Sequence, residues 1–203
     1  METALLIAAG YVLGSMPWGY WLPRLVKHDD IRRHGSGNIG GTNVWRAYGW
    51  RLGAPVVLLD TAKGFVPAFV ATLMVSHLAG VLAGAAAMLG HWRPMFLRWR
   101  RGGKVVATSG GAFLGVAPVI GAVGAVVWIA VFLIFRYASL ASIVAALVVP
   151  VAAVVLGEPW PVIVFAAGAA AAVLVLHRQN IARLRAGKEN RFRFRRLRRE
   201  PLA

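Results

Sequence analysis

The 203-residue chain carries 23 Lys and Arg against 7 Asp and Glu, a formal net charge of +16, yet 59% of it is hydrophobic and its mean hydropathy is +0.65. So much apolar surface leaves too few polar residues to clothe a soluble globule, and the chain reads as an all-α integral membrane protein. It has no cysteine, which excludes disulfides and thiolate chemistry.

In chain order, seven apolar runs are expected to be transmembrane helices, some of them short or broken. They lie at 3–25, 52–75, 77–97, roughly 105–120, roughly 121–136, 139–157 and 160–177. The first run has no basic residue before it and is too long for the apolar region of a signal peptide, so it is read as a retained span with its N-terminus outside. The basic residues gather in Arg24 to Arg51, Arg93 to Lys104, Arg136, and Arg178 to Arg199, leaving Lys63 isolated. All these clusters should face the cytoplasm. From an outside N-terminus, three crossings reach the cluster at 93–104 and four more return to Arg178, with Arg136 inside and Glu158 outside. The weak segment is 105–136, where Gly115, Pro118, Gly121 and Gly124 interrupt any single long helix. The C-terminus is therefore expected in the cytoplasm, and residues 1–203 form a single domain without linker or repeat. The alanine runs at 83–87 and 166–173 would let neighbouring helices approach closely.

Three polar clusters remain once the membrane scaffold is subtracted, all on the expected cytoplasmic side. The first is Gly35-Ser36-Gly37-Asn38-Ile39-Gly40-Gly41-Thr42-Asn43, followed by Arg46. Its glycines permit left-handed backbone and close approach, so the loop can turn N–H groups outward as an anion nest, with a helix start behind it. The second is Gly90-His91-Trp92-Arg93-Pro94 and then Arg101-Gly102-Gly103-Lys104. It is not a Walker A loop, because Arg98 and Val105 stand where Gly and Ser or Thr are required. The third is His177-Arg178-Gln179-Asn180 at the end of the last span, where helical spacing puts His177 and Asn180 on one face. Asp60 and Lys63, at i and i+3 inside an apolar run, are expected to pair as a brace. The tail Arg191 to Arg199 interleaves cations and rings and is read as a contact with anionic lipid headgroups rather than nucleic acid.

These loops suit a substrate with a phosphate and an acyl chain. The few carboxylates form no cluster of the kind a metal-dependent phosphotransferase needs, so no metal and no cofactor are expected. No histidine is followed five positions later by aspartate, which excludes the soluble-type glycerolipid acyltransferase pattern.

Four segments in order, GSGNIGGTNVWRAYG at 35–49, LLDTAKG at 58–64, GHWRPMF at 90–96 with RGGKVVATSGG at 101–111, and HRQNIARLRAGKEN at 177–190, resemble the bacterial acyl-phosphate-dependent glycerol-3-phosphate acyltransferases, the PlsY family. The resemblance runs over essentially the whole chain. It departs at Val105, where the family's loop continues with glycine, and at Arg93, where an aromatic residue usually precedes the proline. It implies a bacterial inner-membrane enzyme with a cytoplasm-facing site, taking acyl phosphate and glycerol 3-phosphate as substrates. The products would be lysophosphatidic acid and phosphate, as the first acylation of phospholipid synthesis. Besides membrane lipids no protein or nucleic-acid partner is implied.

The candidate catalytic set is Ser36, Lys104, His177 and Asn180. Substrate contacts are assigned to Gly37, Asn38, Gly40, Thr42, Asn43, Arg46, His91, Gly102, Gly103 and Arg178, with Asp60 and Lys63 bracing. An acyl phosphate is already activated, so the site has only to hold two anions and present one hydroxyl to one carbonyl. The proton goes either to His177 or to the acyl-phosphate oxygens. Two competing readings are a covalent acyl-enzyme at Ser36 and a permease for small phosphate compounds.

Overall fold

The computed structural model describes residues 1–193, which contain helices and turns and no strand. In place of one helix over 3–25 there are two, α1 (Glu2–Gly14) and α2 (Trp18–Lys27). Pro17 cannot donate to the helical ladder and, through its ring, disfavours helical backbone at Met16. Ser15 turns its hydroxyl back onto the Tyr11 carbonyl at 2.8 Å, and the Met16 carbonyl left by the break accepts from Lys63 Nζ at 2.8 Å. A distant lysine thus satisfies the interruption.

A 3-10 turn at Ile31–Arg33 and the glycine loop lead into the short α3 (Gly41–Tyr48). Next come α4 (Trp50–Met74) and α5 (His77–Trp92), the latter capped by the Ser76 hydroxyl accepting from the Ala79 amide. The expected end of this run at 97 moves back to Trp92, because Pro94 forces Arg93 out of helical backbone. After a 3-10 turn at Met95–Leu97 come α6 (Val106–Val116) and α7 (Pro118–Phe135), divided at Ala117–Pro118 rather than at 120–121. The remaining helices are α8 (Ala138–Val155), α9 (Trp160–Leu176) and α10 (Arg178–Arg185).

α6 is the buried centre of the bundle, held against α4 by glycines. A Cβ at Gly64 would lie 2.0 Å from the Thr108 carbonyl oxygen, and one at Gly111 would lie 2.0 Å from that of Thr61. Only glycine lets these two backbones touch. Around them Phe113, Ile120, Val149, Val162, Phe165 and Ala166 close the core. α7 faces outward, with Val126 at 65% and Ile134 at 68% exposure, as expected of a surface solvated by lipid. By length and composition α4, α7 and α8 can each cross a bilayer, and α9 with α10, bent by 60°, would make a fourth crossing. Among the described residues, the basic loops between α2 and α4, α5 and α6, and after α9 meet at one end of the bundle, where the site lies.

Candidate active site

In the glycine loop, Gly35 and Gly37 take positive φ, +56° and +67°, while Gly40 and Gly41 do not. Asn43 is the loop's staple. Its Nδ2 donates to the carbonyls of His34 (3.0 Å) and Asn38 (2.9 Å), and its Oδ1 accepts from the Ser36 amide (3.1 Å). Asn38 Oδ1 accepts from the Gly40 amide at 2.7 Å. Asn43, 4% exposed, therefore shapes the loop from within. What the loop offers a guest is the Ser36 hydroxyl and the start of α3, whose Gly41 and Thr42 amides have no intrahelical acceptor.

The second loop differs from expectation in what it contributes. The amides of Gly102 and Gly103 donate to the carbonyls of Trp92 (2.9 Å) and His91 (3.0 Å), so they are spent inside the protein and do not form an anion nest. Gly103 is needed for packing, since a Cβ there would sit 1.8 Å from His91 Nε2. The loop's contribution to the site is the ammonium of Lys104, which donates to Asn180 Oδ1. Burial, reinforced by the cationic Arg183 and Arg101, lowers the Lys104 pKa to about 8 against the opposing charge of Glu189. Val105 next to it occupies left-handed backbone, φ 59° and ψ 0°, as the cap of α6. A β-branched residue in that region is strained by on the order of 1–3 kcal/mol.

At the bend between α9 and α10, His177 Nδ1 lies 2.8 Å from the Val173 carbonyl. A carbonyl only accepts, so Nδ1 carries the hydrogen and Nε2 keeps its lone pair. One turn on, Asn180 receives Lys104 at Oδ1 and donates from Nδ2 to Glu189 Oε1 at 2.7 Å. Glu189 also accepts from Ser139 Oγ (2.9 Å) and Arg183 Nε (2.7 Å), joining α8, α10 and the C-terminal segment. Burial opposes ionisation of Glu189, but hydrogen bonds from Asn180, Arg183 and Ser139 outweigh it and hold the carboxyl below its ordinary range.

These groups ring one end of a cavity of about 420 Å³. Ser36, Thr42, Arg46, Lys104, His177 and Asn180 line that end, and Phe113, Ile120, Trp128, Ala145, Val149 and Ala166 line the rest, between α6, α7, α8 and α9. Among the described residues neither Arg46 nor Lys104 has a carboxylate within 4.0 Å. Arg46 Nε is buried with no acceptor there, while its Nη2 reaches only the Asn190 carbonyl at 3.4 Å. Two part-buried cations at the head of a greasy slot call for an anion carrying an apolar chain.

Known proteins match this chain over nearly its whole length. The model of the family described as glycerol-3-phosphate acyltransferase matches residues 4–187. The chain belongs to the glycerol-3-phosphate acyltransferase family. Relatives named glycerol-3-phosphate acyltransferase include that of Desulforudis audaxviator, 46% identical over 96% of this chain and 98% of the relative, and that of Allorhizobium ampelinum, 42% identical over 93% and 92%. Crystal structures of PlsY, an integral membrane glycerol 3-phosphate acyltransferase, superpose with TM-scores of 0.91 for the glycerol 3-phosphate form and 0.88 for the lysophosphatidic acid form. The identities are 38% and 37%, covering 95% of this chain and 96% of each PlsY chain.

Within this acyltransferase fold, the residues nominated from sequence divide by position. Ser36, Asn38, Gly40, Thr42, Asn43, Arg46, Lys104, His177 and Asn180 all border the cavity, whereas Gly37 and Gly102 border a smaller one beside it. Arg178 is exposed and borders neither, because it lies on the opposite face of α10 from Asn180. Asp60, Lys63 and His91 form a buried layer beneath the second loop. Lys63 Nζ is 2.8 Å from Asp60 Oδ1, which is 3.7 Å from His91 Nδ1, and His91 packs under Gly103. His91 thus packs beneath the loop, while both it and Asp60 also border the main cavity. Glu189 and Ser139 went unnoticed in the sequence, although Glu189 is the one carboxylate between Glu158 and Glu200, a signal that it balances the basic segment around it. The tail reading also changes. Phe192 is 3% exposed, donates its amide to the Arg136 carbonyl at 2.7 Å and packs on Trp45 and Phe132. The rest of that basic tail, from Phe194 on, lies outside the described residues.

Proposed function

We propose that the protein transfers a fatty acyl group from acyl phosphate to the 1-hydroxyl of sn-glycerol 3-phosphate, releasing 1-acyl-glycerol 3-phosphate and inorganic phosphate. The observation that carries this reading is the pairing of two cations with no carboxylate within 4.0 Å among the described residues, Arg46 and Lys104, with one apolar cavity. Lys104, Ser36 and the amides opening α3 hold the phosphoryl end of the donor, whose chain runs down the apolar slot. Arg46 and Asn180 hold the phosphate of the acceptor. His177 Nε2, fixed as an acceptor by the Nδ1 bond to Val173, takes the hydrogen bond that aims the hydroxyl.

The hydroxyl oxygen bonds to the acyl carbonyl carbon. The carbon–oxygen bond to phosphate then breaks with its electron pair on phosphate, and the hydroxyl proton ends there. Lys104 stabilises both the developing oxyanion and the departing phosphate. No acyl-enzyme is required, because phosphate is already a good leaving group. The site opens to the cytoplasm of a bacterial inner-membrane protein with seven crossings, made by α1, α4, α5, α6, α7, α8 and α9. The gathering of the basic loops at the site's end of the bundle supports that orientation.

The test is to incubate the purified protein with palmitoyl phosphate and glycerol 3-phosphate, and in parallel with palmitoyl-CoA in place of the acyl phosphate. Lysophosphatidic acid and phosphate should appear in stoichiometric amounts with the first donor and not with the second. Turnover with palmitoyl-CoA alone would overturn the donor assignment, and absence of product with both would overturn the reaction.

A further inference from the structure

A second cavity, of about 260 Å³, adjoins the first and shares Ser36, Asn38 and Lys104 with it. Its lining is otherwise unlike the first, with Arg32, Arg100, Arg101, Gln179 and Arg183 around it and no aliphatic side chain. The charges on its wall do not cancel. Asp30 is 2.6 Å from Arg32 Nη2, and Glu189 is 2.7 Å from Arg183 Nε. Arg100 and Arg101, both exposed, have no carboxylate within 4.0 Å among the described residues. The loop that carries them is held rigidly in an unusual shape. Arg98 and Trp99 both take positive φ, 52° and 54°, Trp99 Nε1 donates to Tyr11 Oη at 2.8 Å, and Tyr11 Oη donates to the Arg93 carbonyl at 3.0 Å. Two consecutive non-glycine residues in left-handed backbone cost free energy, and the Trp99–Tyr11–Arg93 hydrogen bonds hold the loop in that shape. Here the result is that two guanidinium groups flank the wet side of Lys104.

We propose that this cavity is an anion vestibule. It is a site for a phosphate monoester or inorganic phosphate, built on Arg100 and Arg101 and in series with the reaction centre through Lys104. It rests on the acyl-transfer reading for the identity of its ligands, which are incoming glycerol 3-phosphate and outgoing phosphate. The two cavities then separate the two kinds of traffic. The acyl chain uses the apolar slot, and the water-soluble anions use the basic vestibule, whose field raises their local concentration.

The same guanidinium groups could instead meet lipid phosphate, so the experiment distinguishes the two sources. Equilibrium binding of glycerol 3-phosphate and of inorganic phosphate is measured by calorimetry for the full chain and for the R100Q/R101Q double variant. Each protein is prepared once in an uncharged detergent and once in nanodiscs containing phosphatidylglycerol. In detergent the variant should bind both anions roughly five- to tenfold more weakly, as expected of removing two screened cations, with a smaller dependence on salt. R100K/R101K should recover most of the affinity. Where turnover is measurable, the KM for glycerol 3-phosphate should rise by a similar factor with kcat within twofold. Binding unchanged within twofold in detergent overturns the proposal. A difference seen only in the anionic nanodiscs also overturns it, and assigns the pair to lipid headgroups. Because binding is read without turnover, a protein that binds both anions through Arg100 and Arg101 yet makes no lysophosphatidic acid would sink the reaction and leave the vestibule standing.

Discussion

Lys104 is the side chain whose charge the proposed reaction needs most, and its burial disfavours that charge. With its pKa lowered to about 8 by burial, it is a cation below that pH and neutral above it. The free enzyme should therefore lose its phosphoryl-binding charge on the alkaline side, and kcat/KM for acyl phosphate should fall with a slope of −1 above about pH 8. Arginine does not titrate in this range, so K104R should lack that alkaline limb in whatever activity it keeps. K104A should lower kcat by roughly 100-fold or more, in line with removal of one preorganised electrostatic donor. Val105 poses the opposite question, of strain against burial. Glycine there would release on the order of 1–3 kcal/mol of backbone strain and forgo about 1.5–3 kcal/mol from burying a side chain that is 2% exposed. The two effects nearly cancel, so V105G should unfold in detergent close to the native temperature and keep its turnover. V105A gives up burial while still holding a Cβ in left-handed backbone, so it should be the least stable of the three. If V105A is instead the most stable, the strained cap is not a feature of the folded protein.

At the scale of elements, the site depends on a contact that local pattern does not reveal. Glu189 gathers Ser139 of α8 and Asn180 and Arg183 of α10 onto one carboxylate, so it sets the position of the amide that meets Lys104. E189A should lower stability by about 1–3 kcal/mol, chiefly by leaving the Asn180 amide and the Ser139 hydroxyl without their acceptor, since Arg183 is partly exposed and solvent-screened. E189Q should fall between E189A and the native protein. A glutamine carbonyl can still accept from Asn180 and Ser139, but its amide then faces Arg183. Thermal unfolding in detergent gives this order directly, and equal stability of all three proteins would show that the segment after α10 does not clasp the site. This also marks how much was legible in the sequence. The glycine loop, the Gly-Gly-Lys loop and the His177–Asn180 pair stood out because each is a short polar motif against an apolar background. Their convergence followed from which end of each helix carried charge. The roles of the glycine amides in the second loop were not legible, since Gly102 and Gly103 donate to a preceding helix end and only tertiary structure decides that. The break at Pro17 was hidden for a similar reason, its freed carbonyl being satisfied by Lys63 from another helix.

Orientation belongs to the whole molecule, and helix lengths alone do not determine it. α6 has 11 residues, about 16 Å at 1.5 Å per residue, against a hydrocarbon core of about 30 Å. A helix that short is tolerable at membrane depth only if its irregular ends are covered by protein. Ala117, at the junction with α7, is 3% exposed, and Val116 is also 3% exposed. The α6–α7 junction can thus sit inside the bundle and still count as a turn between two crossings. α1 lies beside α5 with Gly10 against Ala83 and Gly14 against Ala87, so both run in the same direction and end near the basic loops. Under the seven-crossing arrangement Ser76 and Glu158 then lie on the outer side, and Lys188 lies on the cytoplasmic side. The chain has no cysteine of its own, so single substitutions report on one position each. In spheroplasts, S76C and E158C should react with a membrane-impermeant maleimide, and K188C should react only after permeabilisation. If K188C reacts in intact spheroplasts while E158C does not, the site faces outward and would be cut off from a cytoplasmic supply of glycerol 3-phosphate. If S76C and K188C both react before permeabilisation, the chain crosses an even number of times after Ser76, and α6 with α7 is where a crossing is lost.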